Sequence, residues 1–362
     1  MKSKKEIDCA FFLFIVIIIL IVRLKESLMK YFLSIVLTAL GISQVNAAEL
    51  NVYSYRTPAL LQPFLDAYTA ETGTTFNIVH APKGLAQRLQ AEGKSSPADL
   101  VLTVDVSRVS ELKDLDLLAP IASSVINERV PAYLRDEDDL WTALSLRARI
   151  IAIAKDRVPE GAITRIEDLA KPEWKGRVCT RKGSHVYNRA LLASLIAHLG
   201  EEKAEAWVEG LVSNLARRPQ GNDRAQAKAM FAGECDVAVM NTYYVGKMKY
   251  NEKNPEQKKW AAAMGIVYLN QDDRGQHLNI SGGGIVKYSK NQDAARAFLE
   301  WLTGDEAQRI YTSVNYEFPV NAAVSPDTEV ASWGSFKPDT LPISALAENA
   351  TKAQMVIDRT GW

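Results

Sequence analysis

Two adjacent tyrosines, Tyr243 and Tyr244, are the residues whose type and spacing point most directly to chemistry. They follow residues 235–240, a short run of apolar and β-branched side chains that predicts a strand, and we expect them in a loop where that strand ends. Adjacent side chains within a strand point to opposite faces, so two phenols can share one target only beyond it. Deprotonated phenols are hard anionic ligands that suit ferric iron. The alternative is structural, with one tyrosine packed inside and the other at the surface.

The cysteines connect this pair to a third tyrosine. Cys179 precedes Tyr187 by eight residues, and Cys235 precedes Tyr243 by eight residues. In an oxidising compartment an isolated pair of cysteines favours a disulfide, which would join the bases of the two tyrosine-bearing segments. Two buried free thiols are the alternative.

Two features of the sequence could hold an anion. Arg147 and Arg149 lie two residues apart in a strand predicted over residues 146–155, so their guanidinium groups share one face. They need carboxylate partners, water or a bound anion, and the sequence leaves that choice open. Gly183 and Ser184 precede a helix predicted from Arg189, where free backbone N–H groups could also receive an anion.

The N-terminal residues indicate the compartment. From Met29 the chain reads as a secretory signal peptide, with Lys30, an apolar stretch and small residues, and we expect cleavage after Ala47. An upstream apolar run over residues 10–22, next to Cys9, is shorter than the ~20 residues that a membrane span needs. We therefore expect translation to start at Met29, the alternative being an extra anchor. The mature protein is expected to be exported.

The remaining chain predicts an α/β protein of two lobes. Strands and helices alternate from residue 50 to residue 108, which favours a largely parallel sheet flanked by helices, and the length exceeds that of a usual single core. The 43 basic and 43 acidic residues balance, so nucleic acid is not an expected partner. The glycine-rich residues 280–286 lack a phosphate-loop ending and suit a chain crossing between lobes. Without hydrolase or zinc-protease motifs, we do not expect an enzyme.

Over nearly the whole mature chain the sequence resembles the periplasmic ferric-iron-binding proteins, the solute receptors of iron ABC transporters. The stretches that carry this resemblance are Val52-Tyr53-Ser54-Tyr55-Arg56, residues 96–103, 170–176 and 218–224, and Asn241-Thr242-Tyr243-Tyr244. The first and last are fairly specific, whereas the other three also suit the wider group of binding proteins. The resemblance implies a two-lobe binding-protein fold with iron in the cleft. Lobe 1 would comprise residues 48–145 and 280–325, and lobe 2, with the tyrosines, residues 146–279 and 326–362.

The resemblance also implies a ligand set. Iron, as Fe(III), would be bound by Tyr187, Tyr243 and Tyr244, and Tyr55 stays open as a fourth ligand. The loop at residues 55–58 lacks the His-Tyr pair of other members, so we expect carbonate or a similar small anion to complete the site. The residues expected to hold this anion are Arg56, Arg147, Arg149, Asn241 and Ser184.

The same resemblance implies a mode of action. A monomer would close around iron by hinging near residues 144–147 and 279–284 and deliver the ion to an inner-membrane ABC permease. The competing hypothesis is a binding protein for an organic or anionic small molecule in the same fold, with Arg147, Arg149 and the tyrosines as its walls.

Overall fold

The computed structural model describes residues 48–362, so the expected signal peptide, the start at Met29 and Cys9 lie outside the described residues. Within residues 48–362, no helix is both long and apolar enough to cross a membrane. The strands are β1 (Glu49–Ser54), β2 (Thr75–His80), β3 (Leu100–Leu102), β4 (Leu118–Ala119), β5 (Thr142–Ala154), β6 (Val178–Cys179), β7 (Val237–Asn241), β8 (Met264–Val267) and β9 (Leu278–Val286). The helices are α1 (Pro58–Thr72), α2 (Leu85–Glu92), α3 (Val106–Asp114), α4 (Ser124–Arg129), α5 (Val186–Leu199), α6 (Glu201–Ser213), α7 (Asp223–Phe231), α8 (Tyr243–Lys249), α9 (Glu256–Ala262), α10 (Gln292–Leu302), α11 (Asp305–Ser313), α12 (Thr328–Ala331), α13 (Ser344–Glu348) and α14 (Ala350–Thr360).

The first sheet follows the alternation read from the sequence. Strand β1 pairs in parallel with both β2 and β3. Helix α1 connects β1 to β2 and begins at Pro58, where the missing N–H costs no hydrogen bond. It ends at Gly73, whose left-handed φ of 75° lets its N–H bond to the carbonyl of Thr69. This strand–helix–strand unit places the loop of Tyr55 and Arg56 at the carboxyl end of β1.

Two long strands join the first sheet to a second one. The first half of β5 pairs antiparallel with β9, and its second half pairs antiparallel with β7 and β8. Both β5 and β9 are buried along their whole length. Glycine is required within β9 because a Cβ at Gly284 would lie 2.8 Å from the carbonyl oxygen of Leu140. The chain therefore crosses between the sheets through closely packed backbone.

The second sheet contains the predicted disulfide. Strand β6 pairs in parallel with β7, and Cys179 at the end of β6 is bonded to Cys235, just before β7, with their Cα atoms 5.9 Å apart. The prediction of this disulfide is confirmed. It fixes the starts of the two segments that lead to Tyr187 and to Tyr243.

The two-lobe α/β fold is confirmed, but its sheet is mixed rather than largely parallel. The expectation holds for β1, β2 and β3, whereas β5 and β9 run antiparallel to every strand with which they pair. Because β5 and β9 run in opposite directions, each pairs antiparallel with the other where the two sheets join. The lobe boundaries stay a prediction, and β5 and β9 lie where those boundaries fall.

Candidate metal site

The adjacent tyrosines begin a helix rather than lying in a loop as expected. Strand β7 ends at Asn241, the Thr242 N–H bonds to the carbonyl of Ala148, and α8 starts at Tyr243. The rings of Tyr243 and Tyr244 lie beside each other, with centroids 4.4 Å apart and planes inclined by 35°. A strand that turns at once into a helix thus brings both phenols to one side, which a continued strand could not do.

Tyr187 reaches the same place from another element. It lies in the first turn of α5, which starts before the predicted Arg189 because the His185 ring accepts a hydrogen bond from the Tyr187 N–H at 3.3 Å. The Tyr243 hydroxyl donates to the Tyr187 hydroxyl at 3.2 Å, and Asn241 Nδ2 donates to Tyr243 at 3.5 Å. The three tyrosines predicted as ligands are therefore brought together.

Positive charges surround the three rings. The guanidinium carbons of Arg147 and Arg181 lie 5.6 Å and 5.3 Å from the ring centre of Tyr187. Arg224 lies 5.3 Å from the ring centre of Tyr244, and the Lys247 ammonium lies 5.1 Å from that of Tyr243. Burial lowers the pKa of Lys247 to about 8, with the nearby arginines acting in the same direction. Such a cationic wall favours anionic groups within the cluster.

The phenols of Tyr243 and Tyr244 are held in their neutral form when no cation is present. Burial raises the pKa of Tyr243 well above its ordinary value, and the proximity of Tyr187 and Tyr244 raises it further. Burial also raises the pKa of Tyr244, with a further contribution from the carboxylate of Asp223. Phenolates packed this closely repel each other, so they need a multivalent cation between them to become ligands together.

Two of the predicted anion-binding residues line the cleft but already have protein partners. Arg56 forms a buried ion pair with Glu317 at 2.8 Å and donates to Ser281. Arg147 donates to the carbonyl of Ile280 at 2.6 Å, to Ser281 at 3.1 Å and to the carbonyl of Val104. Both side chains are thereby held in fixed orientations at the cleft, and some of their N–H groups are already used by these partners.

The other predicted anion-binding residues do not line the cleft. Arg149 pairs with the buried carboxylate of Asp223 at 2.8 Å and donates to the side-chain oxygens of Asn188 and Asn241 at 2.6 Å and 3.0 Å. Asn241 is thus shared between Arg149 and Tyr243, so both residues support the tyrosines from behind. Ser184 is exposed in the turn before α5. Of the partners that the sequence left open for Arg149, the structure supplies a carboxylate, and this carboxylate is buried.

Tyr55 lines the cleft from the first sheet. Its hydroxyl accepts a hydrogen bond from the Ala86 N–H at 3.1 Å, and the Arg108 guanidinium lies 4.3 Å from its ring centre. The structure gives it no hydrogen bond to the three clustered tyrosines among the described residues.

Four functional candidates were missed from the sequence: Asp223, Arg224, Lys247 and Glu317. Lys247 follows Tyr243 by four residues on α8, and this helical spacing could have revealed it had the tyrosines been assigned to a helix. Arg224 belongs to one of the stretches that carry the resemblance. Asp223 and Glu317 are far in sequence from Arg149 and Arg56, and no local pattern predicts such pairs.

Between the two sheets lies a cleft of about 800 Å³. Its wall contains the three predicted ligands Tyr187, Tyr243 and Tyr244, together with Tyr55, Arg56, Arg147, Arg224 and Lys247. Two lobes joined by crossing strands, with polar side chains converging in the cleft, define a two-lobe solute-binding protein. Residues 53–309 match the bacterial extracellular solute-binding proteins, and the chain belongs to this family.

Similar proteins include an iron uptake protein and two solved structures. The chain is 40% identical over 315 residues to iron uptake protein A1 of Synechocystis, a match that covers 87% of each chain. It is 43% identical to the ferric binding protein from Campylobacter jejuni, which it resembles with a TM-score of 0.81 over 86% of this chain and 99% of that one. A Trichodesmium protein solved in complex with iron and citrate ligands is 40% identical, with a TM-score of 0.83 over 87% of this chain and 100% of that one.

Proposed function

We propose that this protein binds ferric iron in the cleft through the phenolates of Tyr187, Tyr243 and Tyr244. The observation that carries the proposal is their convergence, with a 3.2 Å contact between the Tyr187 and Tyr243 hydroxyls and the Tyr244 ring alongside. Three phenolate charges balance a trivalent cation, and hard oxygen ligands suit it. The iron uptake and ferric binding proteins to which the chain is similar support the same assignment.

A small anion, carbonate or a similar ion, completes the iron coordination in this proposal. Arg147 and Arg56 support it from the cleft wall, together with Arg224 and Lys247, which sequence reasoning did not include. Arg149 and Asn241 instead hold the tyrosines, because their polar groups are already paired with Asp223, Asn188 and Tyr243. Tyr55 stays open as a fourth ligand, and the hydrogen bond from the Ala86 N–H would favour its phenolate form.

The protein then acts as an exported receptor rather than as an enzyme. In this proposal it binds iron in the periplasm, closes by hinging at β5 and β9, and presents the closed form to an inner-membrane ABC permease. The membership in the extracellular solute-binding family supports this role. Binding as a monomer and cleavage after Ala47 belong to the same proposal.

Iron binding is tested by loading the mature protein from a weak ferric chelate in carbonate buffer and measuring bound iron and the visible spectrum. We expect one iron per chain and an orange-to-red phenolate charge-transfer band. Tyr243→Phe and Tyr244→Phe should each lower ferric affinity at least about 10-fold, as loss of a ligand or its support does in metal sites. Tyr288→Phe, at an exposed tyrosine that does not line the cleft, is the matched control. A colourless protein without bound iron would refute the proposal.

The volume and positive charge of the cleft favour one second candidate, an organic polyanion bound without iron. A cleft of about 800 Å³ can accommodate a small organic molecule as well as an ion. Calorimetry with tricarboxylates in iron-free buffer separates the two functions. Tight binding of such an acid that Tyr243→Phe leaves unchanged would favour this candidate over ferric iron.

A further inference from the structure

Trp362, which follows α14, packs against the turn that leads to Tyr187. Its side chain is 5% exposed, and its indole lies edge-on to that of Trp207 with ring centres 5.7 Å apart. The main-chain oxygen of Trp362 accepts a hydrogen bond from the Gly183 N–H at 2.9 Å. Trp362 is not among the residues that line the cleft, so it has no direct access to a bound ion.

The contact between Trp362 and Gly183 leaves no room for a side chain. A Cβ added at Gly183 would lie 2.7 Å from the main-chain oxygen of Trp362 and 2.8 Å from Cγ of its indole. The φ angle of Gly183 is not positive, so glycine is needed here for space and not for backbone conformation. The backbone of the turn at Gly183 is therefore in direct contact with the indole of Trp362.

The same turn is held from a second direction by Asn188. Asn188 Nδ2 donates to the carbonyl of Arg181 at 2.9 Å and to that of Lys182 at 3.2 Å, while its oxygen accepts from Arg149. The turn continues into His185, whose side chain caps the helix at Tyr187. A displacement of this turn is consequently transmitted to the first helical turn and to the Tyr187 phenol.

We infer that Trp362 is a positioning residue that holds the Gly183 turn so that the Tyr187 hydroxyl meets that of Tyr243. Its role in iron binding rests on the proposed function. In coordination chemistry, groups behind the ligands fix ligand orientation, and their loss commonly lowers metal affinity by about 10- to 100-fold. Trp362 acts in this way through the backbone of the turn and not through a hydrogen bond to the phenol.

The test uses Trp362→Phe and Gly183→Ala, with Trp174→Phe as control. Trp174 is a tryptophan of the same apolar cluster with 3% exposure, and its ring centre lies 4.9 Å from the guanidinium carbon of Arg177. In the iron-free protein, hydrogen exchange of residues 181–188 should be about 10-fold faster in both test variants and unchanged in the control. In the iron-loaded protein, the charge-transfer band should shift and iron release to a chelator should be about 10-fold faster.

Each outcome decides the inference. Unchanged exchange of residues 181–188 in both test variants would overturn it, as would faster exchange with an unaltered band and release rate. The spectroscopic shift distinguishes positioning from loss of stability, because a merely destabilised protein retains the band of its folded fraction. Absence of the band in the unsubstituted protein would refute the proposed function but not the inference about Trp362, since hydrogen exchange still shows whether Trp362 holds the turn. If Gly183→Ala fails to fold, Trp362→Phe gives the same readouts.

Discussion

At the scale of single residues, the tyrosine site depends on the buried carboxylate of Asp223. It accepts hydrogen bonds from Arg149 at 2.8 Å, from Arg181 at 3.2 Å and from the Asn241 N–H at 3.0 Å. Arg149 in turn bonds Asn188 and Asn241, which adjoin Tyr187 and Tyr243. A single charge therefore orients both segments that carry the tyrosines.

Asp223→Asn should destabilise the protein markedly. Removing one partner of a buried ion pair leaves an uncompensated charge and typically costs about 3–5 kcal/mol in the free energy of unfolding. Urea denaturation of the iron-free protein measures this change. The matched control is Asp293→Asn, where a carboxylate that is 96% exposed pairs with Arg296 and little change is expected. Equal effects of the two substitutions would contradict the role assigned to Asp223.

Ferric affinity should fall as the pH falls. The pKa values of Tyr243 and Tyr244 are raised by burial, so both phenols are protonated at neutral pH and each must lose a proton on binding. Release of at least these two protons makes the apparent affinity rise at least about 100-fold per pH unit. Competition with a chelator, corrected for the chelator's own protonation, checks this slope between pH 6 and pH 8. A pH-independent affinity would mean that these phenols do not bind the ion.

At this scale the sequence identified residue types better than their partners. Tyr187, Tyr243 and the cysteines stand out because their spacing is local and repeated. The partners of Arg149 and Arg56 could not be predicted, because Asp223 and Glu317 reach them only through the tertiary fold. Two arginines on one strand face indicated a need for negative charge. A buried carboxylate meets that need for Arg149, whereas Arg147 donates to the hydroxyl of Ser281 and to main-chain carbonyls.

At the scale of elements, α8 connects the tyrosine pair to the rest of the cleft. Tyr316, which has a positive φ of 58°, lies against Gly246 of α8 and stacks on Tyr250 with ring centres 5.8 Å apart. A Cβ at Gly246 would be 2.5 Å from Cγ of the Tyr316 ring. Gly246 therefore allows Tyr316 to pack directly on the helix that carries Tyr243 and Tyr244.

Gly246→Ala should destabilise the protein through this contact. Overpacking typically costs about 1–3 kcal/mol, which outweighs the gain of about 1 kcal/mol from replacing a helical glycine. In a Tyr316→Ala background the same substitution should be neutral or stabilising, because the ring is absent. A double-mutant cycle by urea denaturation measures this coupling. Additive effects of the two substitutions would contradict a direct contact between Gly246 and Tyr316.

The elements were predicted well where the sequence signals are local. Pro58 and Gly73 are residues typical of helix ends and bound α1, and β1 and β2 lie within the predicted alternation of strands and helices. The start of α5 was placed too late and α8 was not predicted, since a histidine cap and a strand that passes directly into a helix leave weak signals. As a result Tyr187 and Tyr243 were expected in loops, although helices hold them more firmly.

At the scale of the whole molecule, β5 and β9 connect the two sheets and carry several groups of the cleft wall. Arg147 lies on β5, and Ser281 on β9 binds both Arg147 and Arg56. Residues that orient the anion side of the proposed site thus lie on the strands at which we expect the lobes to hinge. The two-lobe organisation could be predicted from the chain length and the family resemblance. The antiparallel pairing of the crossing strands could not, because it depends on contacts between residues distant in sequence.

Resonance Raman spectroscopy of the ferric-loaded protein, excited within its visible band, tests the central claim most directly. Iron bound by Tyr187, Tyr243 and Tyr244 should give enhanced phenolate ring and C–O vibrations, because charge transfer couples only the ligated phenolates to the transition. Ring deuteration of tyrosine should shift those modes, and Tyr243→Phe should weaken them. A loaded protein that contains iron but shows no phenolate modes would contradict the tyrosine site.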